Sequence, residues 1–299
     1  MSIQSVAIVR KSSTTTPPPQ ARGAVEPVGK LIDVTKCIGC KACTAACFEW
    51  NDLREEIGNG VGNYDESVVD LSDQMWSVMR FAEIDTPDGR VEWLMRKDSC
   101  LHCADPGCIK ACPSPGAIVQ YANGIVDFNQ ANCIGCGYCV AGCPFNIPRI
   151  SKKDNKAYKC TMCSDRLQVG LEPVCVKTCP SGAITFGTKK EMVAKAEKRV
   201  HALQERGFQN AALYDPKGVG GTHVMYVLGH GDQPELYNGL PKDPSISPWV
   251  GLWRGVTKPL LSIGLGLGVL TMFFHYVTRG PQDEDAADHA DHAHEGEAK

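Results

Sequence analysis

Apolar and polar positions change rhythm several times along the chain. Residues 11–22 read Lys-Ser-Ser-Thr-Thr-Thr-Pro-Pro-Pro-Gln-Ala-Arg, a run with nothing to bury, and residues 1–30 are predicted to be a flexible or extended N-terminal arm. Residues 74–84 and 90–96 are rich in Trp, Val, Phe and Met. They flank Asp85-Thr86-Pro87-Asp88-Gly89, a turn sequence, so a β-hairpin is predicted there. Residues 189–206 predict a surface helix that Gly207 stops. Gly218-Val219-Gly220-Gly221-Thr222-His223 then leads into a short apolar strand over 224–228. No Gly-Lys-Ser/Thr follows these glycines and no helix pattern opens there, so they read as a turn and not as a phosphate loop.

Residues 259–277 run for 19 positions without a formal charge. A helix of that length, rising about 1.5 Å per residue, spans about 28 Å, close to the hydrocarbon thickness of a bilayer. Trp249, Trp253, Arg254 and Lys258 precede it, and Tyr276 and Arg279 close it, all residue types that settle at a membrane interface. Residues 249–280 are therefore predicted to be a single membrane-anchor helix in contact with lipid. Gly264 and Gly268 leave a face on which a second helix can approach closely. His275 lies near one end of the span and reads as an interfacial histidine. Residues 281–299, acidic and interspersed with His289, His292 and His294, predict a disordered, solvated tail.

Composition adds one outlier. Of 299 residues 16 are cysteine, while the formal net charge of -3 gives no basic surface for nucleic acid, and no nucleic-acid partner is expected. The N-terminus does not read as a secretory signal: its apolar run, residues 6–9, is short, and Arg10-Lys11 follow it. That weakens a disulfide framework and leaves metal ligation.

The spacing supports metal ligation. Four groups use all the cysteines: Cys37, Cys40, Cys43 and Cys47; Cys100, Cys103, Cys108 and Cys112; Cys133, Cys136, Cys139 and Cys143; Cys160, Cys163, Cys175 and Cys179. The first and third are C-x2-C-x2-C-x3-C runs. Three thiolates two residues apart let one loop wrap an iron–sulfur cube, and the fourth points away to a second cube, so such runs come in pairs. Four groups imply four [4Fe–4S] clusters. Zinc sites use two Cys pairs or Cys/His mixtures, which is a different rhythm.

Groups one and three share Cys-Ile-Gly-Cys. Groups two and four share Cys-Ile/Val-Lys-x-Cys-Pro followed by Gly-Ala-Ile, from Gly116 and from Gly182. The expected fold class is α+β: duplicated two-cluster ferredoxin-like domains with small hairpins and short helices over residues 31–248, plus the C-terminal transmembrane helix. Cys47 departs from the pattern, being followed by Phe48 instead of proline, and groups two and four have a stretched gap before their third cysteine. Spacing alone leaves the pairing of groups open, group one with group two included. Lys41, Lys110, Lys159 and Lys177 lie in or beside the motifs and are candidates to raise a cluster potential. No residue pattern for bond chemistry appears, so the chain is not expected to be an enzyme by itself.

The chain resembles the iron–sulfur (beta) subunits of the membrane-bound formate dehydrogenases of the N and O type. The likeness rests on the four cysteine groups, on Glu49-Trp50-Asn51-Asp52-Leu53-Arg54, on the stretch from Gly220-Gly221-Thr222-His223 through Leu228, and on the terminal span. The cysteine groups alone are shared with subunits of nitrate, dimethyl sulfoxide and thiosulfate reductases. Nitrate reductase subunits replace one cysteine by tryptophan, and here all sixteen are present.

The resemblance implies that Cys37, Cys40, Cys43 and Cys179 hold one cluster, and Cys160, Cys163, Cys175 and Cys47 its neighbour. It further implies that Cys100, Cys103, Cys108 and Cys143 hold a third, and Cys133, Cys136, Cys139 and Cys112 a fourth. It implies a wire from the molybdenum-pterin (or tungsten) cofactor of a catalytic alpha subunit to a cytochrome b gamma subunit in the membrane and on to quinone. The globular part would lie on the periplasmic side of the inner membrane, exported folded alongside a partner with a twin-arginine signal. The flanking charges, Arg254 and Lys258 against Arg279, by themselves favour the opposite orientation, but folded domains translocate regardless of such charges. An equivalent subunit of another molybdenum oxidoreductase or of a hydrogenase is the alternative.

Overall fold

A computed structural model describes residues 7–13, 25–53, 70–86 and 89–280. The proline-rich part of the expected arm and the acidic tail, with His289, His292 and His294, lie outside the described residues.

In chain order the strands and helices are β1 (Ile8–Lys11), β2 (Val28–Asp33), α1 (Ala42–Asn51), β3 (Ser77–Asp85), β4 (Val91–Ser99), α2 (Gly107–Ala111), β5 (Ile118–Tyr121) and β6 (Val126–Phe128). There follow α3 (Tyr138–Ala141), β7 (Arg149–Ile150), β8 (Ala157–Tyr158), α4 (Ser164–Gln168), α5 (Val174–Lys177), β9 (Ile184–Thr188), α6 (Lys189–Glu205), β10 (Ala212–Tyr214) and β11 (Val224–Leu228). Last come α7 (Pro248–Leu252) and α8 (Lys258–Arg279).

The described residues up to Val250 form one compact unit, and it contains a four-stranded sheet in the order β10-β11-β2-β9. Its two central strands, β2 and β11, are parallel and wholly buried, as a sheet covered on both faces requires. Strand alternation divides their side chains. Leu31, Met225 and Val227 pack against Met192, Ala196 and Leu203 of α6, whereas Val28, Ile32, Val224, Tyr226 and Leu228 face the larger core that also holds Cys43 and Cys175. Lys30, between Val28 and Ile32 in phase, lies on that second face.

The helix α6 ends one residue short of the predicted range, before Gly207. A capping box starts it: the Thr188 hydroxyl accepts from Glu191 N–H at 3.2 Å, and the Glu191 carboxylate accepts from Thr188 N–H at 3.0 Å. The predicted hairpin is β3–β4, in register from Ser77↔Ser99 to Asp85↔Val91. It runs a few residues further toward the second cysteine group than hydropathy indicated, because Lys97, Asp98 and Ser99 are polar yet buried.

Part of the expected arm is tied down. β1 pairs antiparallel with β5, and β5 with β6, in a three-stranded sheet. Beyond β1, fully buried Ser12 donates to Ser114 C=O at 2.6 Å and accepts from Ile118 N–H at 3.1 Å. β2 begins at Val28, inside the range read as arm. The alternation of residues 7–12 was too short to stand out in the sequence.

Residues 251–280 belong to a separate unit. One helix runs through Pro248–Arg279, with a wider π turn at Trp253–Thr257, and every side chain over 259–280 is exposed. Apolar side chains exposed all round a helix are what a lipid-facing span presents.

Candidate iron–sulfur centres

Two loop designs, each used twice, present the cysteines. In the first, a 3₁₀ turn delivers the chain to a C-x2-C-x2-C loop. At Val34–Lys36 the turn is capped by Asp33, whose carboxylate accepts from Thr35 N–H at 3.1 Å and is held by Arg199 Nε at 2.7 Å. At Gln130–Asn132 the cap is Asn129, accepting from Ala131 N–H at 3.1 Å. The loops then turn through left-handed residues, Gly39 and Lys41 in one, Gly135 and Gly137 in the other.

Glycine is needed at the first of these turns. A Cβ on Gly39 would meet the Phe81 ring at 2.7 Å, and one on Gly135 would meet Asn155 C=O at 2.2 Å. The helices α1 and α3 follow at once and carry Cys43 and Cys139 inward. Cys47, one turn beyond Cys43 on α1, shares its buried face.

In the second design a left-handed residue between two cysteines aims its N–H at the first. His102 N–H reaches Cys100 Sγ and Met162 N–H reaches Cys160 Sγ, each at 3.4 Å. Short helices α2 and α5 then carry Cys108 and Cys175, with Cys112 and Cys179 just past their ends.

None of the sixteen cysteines is paired in a disulfide. Burial pushes most of the shifted ones up, and neighbouring thiols add to it, so the shifts show which thiols face one another. Cys37 is raised by burial and by Cys179 and Cys40, and Cys43 by burial, Cys175 and Cys37. Cys47 is pushed up to about 12 by burial with Cys160 and Cys175, and Cys163 to about 12 by burial with Cys160, Cys175 and Cys47. Cys103 is raised by burial, Cys100 and Cys143, and Cys108 by burial, Cys143 and Cys100. Cys139 goes to about 12 through burial, Cys112, Cys133 and Cys136, and Cys112 in turn feels Cys136 and Cys133.

Chain-distant cysteines therefore meet: Cys179 with Cys37, Cys47 with Cys160, Cys143 with Cys100, and Cys112 with Cys133. One hollow is lined by Cys37, Cys40, Cys43 and Cys179, another by Cys100, Cys103, Cys108 and Cys143. Among the described residues no three His, Cys, Asp or Glu side chains converge on a single ion. A lone zinc would draw sulfurs to about 3.8 Å from one another, given Zn–S bonds of about 2.3 Å. Thiols ringing a hollow suit a polynuclear group.

Three buried lysines complete the setting. Lys30 is fully buried with Nζ 3.9 Å from Cys175 Sγ. Lys97, on β4, is 2% exposed. Burial would push both ammonium groups down, but the negative charge of the cysteines in their thiolate form outweighs it: Cys175 and Cys160 on Lys30, and Cys175, Cys43, Cys160 and Cys47 on Lys97. Buried ammonium groups facing thiols are stable only beside negative charge, which thiolates around a metal cluster supply. Lys159 Nζ donates to Val126 C=O at 2.6 Å and Cys160 C=O at 2.9 Å, with the Phe128 ring 5.0 Å away.

Of the four lysines singled out by their motifs, Lys159 is buried. Lys110 pairs with Asp105, Lys41 lies over the Phe81 ring and Lys177 is exposed. Lys30 and Lys97 escaped because they lie outside the cysteine groups, seven residues before Cys37 and three before Cys100, in stretches that read as strand. The available signal for Lys30 was a lone charge inside Val28-Gly29-Lys30-Leu31-Ile32. His102, fully buried, accepts from Val126 N–H at Nδ1 (3.1 Å), which leaves a proton on Nε2 with no partner among the described residues. Burial, with Lys159 and Lys30 nearby, keeps that ring neutral.

Known proteins share these features. A family model described as "4Fe-4S dicluster domain" matches residues 36–116, and another of the same description matches 91–189. "Formate dehydrogenase N, transmembrane" matches 246–289. The "Formate dehydrogenase, nitrate-inducible, iron-sulfur subunit" of Escherichia coli K12 is 59% identical over 294 residues, covering 98% of this chain and 99% of the relative. The "Formate dehydrogenase-O iron-sulfur subunit" of the same organism is 57% identical over 301 residues, covering 100% of both. A more distant relative, the "Hydrogenase-2 operon protein HybA" of Escherichia coli O157:H7, is 32% identical over 279 residues, 81% of this chain and 83% of that one. The chain belongs to the family of formate dehydrogenase iron–sulfur subunits, electron-transfer subunits that are not catalytic by themselves.

Proposed function

We propose that this chain conducts electrons through four [4Fe–4S] clusters within a respiratory formate dehydrogenase. Cys37, Cys40, Cys43 and Cys179 hold the first, and Cys47, Cys160, Cys163 and Cys175 the second. Cys100, Cys103, Cys108 and Cys143 hold the third, and Cys112, Cys133, Cys136 and Cys139 the fourth. When bound, the clusters supply one-electron carriers; the protein sets their spacing, solvation and hydrogen bonding.

The observation that carries this reading is the meeting of chain-distant thiols, each group's last cysteine facing another group's first. A second observation supports a conducting path. Cys40 and Cys136 are exposed, with Ile38 61% and Ile134 65% exposed beside them, while Cys47, Cys160, Cys163 and Cys175 are buried. That pattern gives two open ends and a shielded middle.

At one end the donor is a catalytic alpha subunit with a molybdenum-pterin (or tungsten) cofactor, and at the other the acceptor is a cytochrome b gamma subunit that passes electrons to quinone. The apolar helix anchors the chain in the inner membrane with the globular part on the periplasmic side. Similarity to a hydrogenase operon protein favours a second reading, the same conductor beside a hydrogenase.

Anaerobic purification of the intact complex tests both. Four cubes require about sixteen iron and sixteen sulfide per chain; a clearly lower count overturns the four-cluster reading. A large partner containing nickel instead of molybdenum or tungsten selects the hydrogenase.

A further inference from the structure

Buried positive charge is shared unequally among the four thiol neighbourhoods. Cys47, Cys160, Cys163 and Cys175 lie among Lys30, Lys97 and Lys159: Lys30 Nζ is 3.9 Å from Cys175 Sγ, Lys159 Nζ bonds Cys160 C=O, and Lys97 faces Cys175, Cys160 and Cys47. The same neighbourhood receives two hydrogen bonds on sulfur, from Met162 N–H to Cys160 at 3.4 Å and from Asn51 Nδ2 to Cys47 at 3.5 Å.

Lys97 also lines the hollow of Cys37, Cys40, Cys43 and Cys179, and Lys159 lines that of Cys100, Cys103, Cys108 and Cys143, where Cys100 acts on it more strongly than Cys160 does, so two other sets share this charge and Lys159 belongs first to the third. Among the described residues the buried lysines are Lys30, Lys97 and Lys159, and none of them makes a hydrogen bond to Cys112, Cys133, Cys136 or Cys139. Lys156 reaches Cys133 C=O there, but from a half-exposed position where water screens it.

Reduction adds one electron to a group that is already anionic, so a fixed ammonium in a dry interior favours the reduced form. Solvent exposure acts in the same direction at Cys40 and Cys136. Charges within the low-dielectric core act more strongly than polarisable water at the rim. We propose that Lys30 and Lys97 make the cluster of Cys47, Cys160, Cys163 and Cys175 the most easily reduced of the four, an internal resting place for the electron, and leave that of Cys112, Cys133, Cys136 and Cys139 the hardest to reduce. This rests on the four-cluster reading above and adds an order of potentials to it.

The test is a dithionite titration of the whole complex followed by electron paramagnetic resonance, with iron and sulfide counted in each sample. Cys163→Ser and Cys139→Ser mark the signals of the two sets. In the parent protein the set marked by Cys163→Ser is expected to reduce first and the set marked by Cys139→Ser last.

Lys97→Met and Lys30→Met are each expected to disfavour reduction of the first set tenfold or more, about 59 mV for one electron, and to leave the last set within twofold. Lys97→Arg, which keeps the charge, is expected to shift it less. The inference is overturned if the parent ranks the two sets in reverse, or if either methionine variant with full iron leaves the first set within twofold. Should a variant lose iron, the parent ranking still decides. A low iron and sulfide count in the parent would instead overturn the four-cluster reading.

Discussion

Lys30 Nζ and Cys175 Sγ stand 3.9 Å apart with both side chains buried, and no carboxylate is among the main influences on that ammonium. The pair ties the central sheet to the metal-binding loops, since Lys30 comes from β2 and Cys175 from α5. Its stability depends on negative charge that a neutral thiol does not provide.

Removing iron should therefore loosen the sheet as well as the loops. After anaerobic chelation, trypsin is expected to cut after Lys30 and Lys97, which are shielded in the loaded protein, and near-ultraviolet circular dichroism of the buried Tyr226 and Tyr214 should fade. Unchanged protection of Lys30 in iron-free protein would show that the pair does not need the metal.

Gly39 and Gly135 occupy matching turns but meet different neighbours. A Cβ at Gly39 presses on the Phe81 ring and the Met95 sulfur, which can move, while one at Gly135 presses on the backbone oxygen of Asn155. Gly39→Ala is expected to cost about 1–2 kcal/mol from the left-handed backbone alone. Gly135→Ala should cost about 2 kcal/mol more through overpacking, with loss of iron from that loop. Thermal scans and iron assays on both variants check the order.

Ser12 satisfies two buried backbone groups at once. Ser12→Ala leaves Ile118 N–H and Ser114 C=O without that partner, at an expected cost of about 1–3 kcal/mol. A Tm lowered against the parent checks it, and an unchanged Tm would show that water replaces the hydroxyl.

Asp70 gives a pH dependence of known sign. Burial pushes its carboxyl up, but bonds from Arg149 and Arg80 hold it below its ordinary value. The folded pKa is depressed, so the contribution is complete above the unfolded value of about 3.9 and is lost as pH falls through the folded value. The Asp70 side chain is 60% exposed, so Asp70→Asn is expected to cost about 0.5 kcal/mol at neutral pH. The Tm difference from the parent should hold steady down to about pH 4 and narrow as pH is lowered further.

The helix over Pro248–Arg279 is expected to hold the protein in membranes. Leu267→Arg places a charge at its middle at a cost of about 2.5–3.5 kcal/mol for insertion. A shift of the chain from the membrane to the aqueous fraction, with iron retained, is the outcome to look for; unchanged membrane retention would point to partner contacts as the anchor.

Cysteine spacing made the metal chemistry legible because ligand geometry is local: Cys37, Cys40 and Cys43 must turn within a few residues whatever the rest of the chain does. The hairpin and α6 were legible for the same reason, through turn chemistry at 85–89 and the stop at Gly207. Long-range geometry was not. Nothing local to Cys47 says that it meets Cys160, and that expectation came from family likeness. Lys97 looked like an ordinary polar strand residue until folding enclosed it among thiols, and β1 was too brief to distinguish from the proline-rich stretch after it. Charge placement in this protein is a tertiary property, whereas ligand spacing is a primary one.

The parallel pairing of β2 with β11 has a consequence for biogenesis. Residues 28–33 are made early and residues 224–228 late, so the middle of the sheet stays incomplete until nearly the whole globular part has left the ribosome. The two cysteine sets that join residues 37–47 to residues 160–179, which pack against this sheet, therefore gain their full support only when translation is almost finished. Truncated translation products should emerge colourless and become targets for proteases.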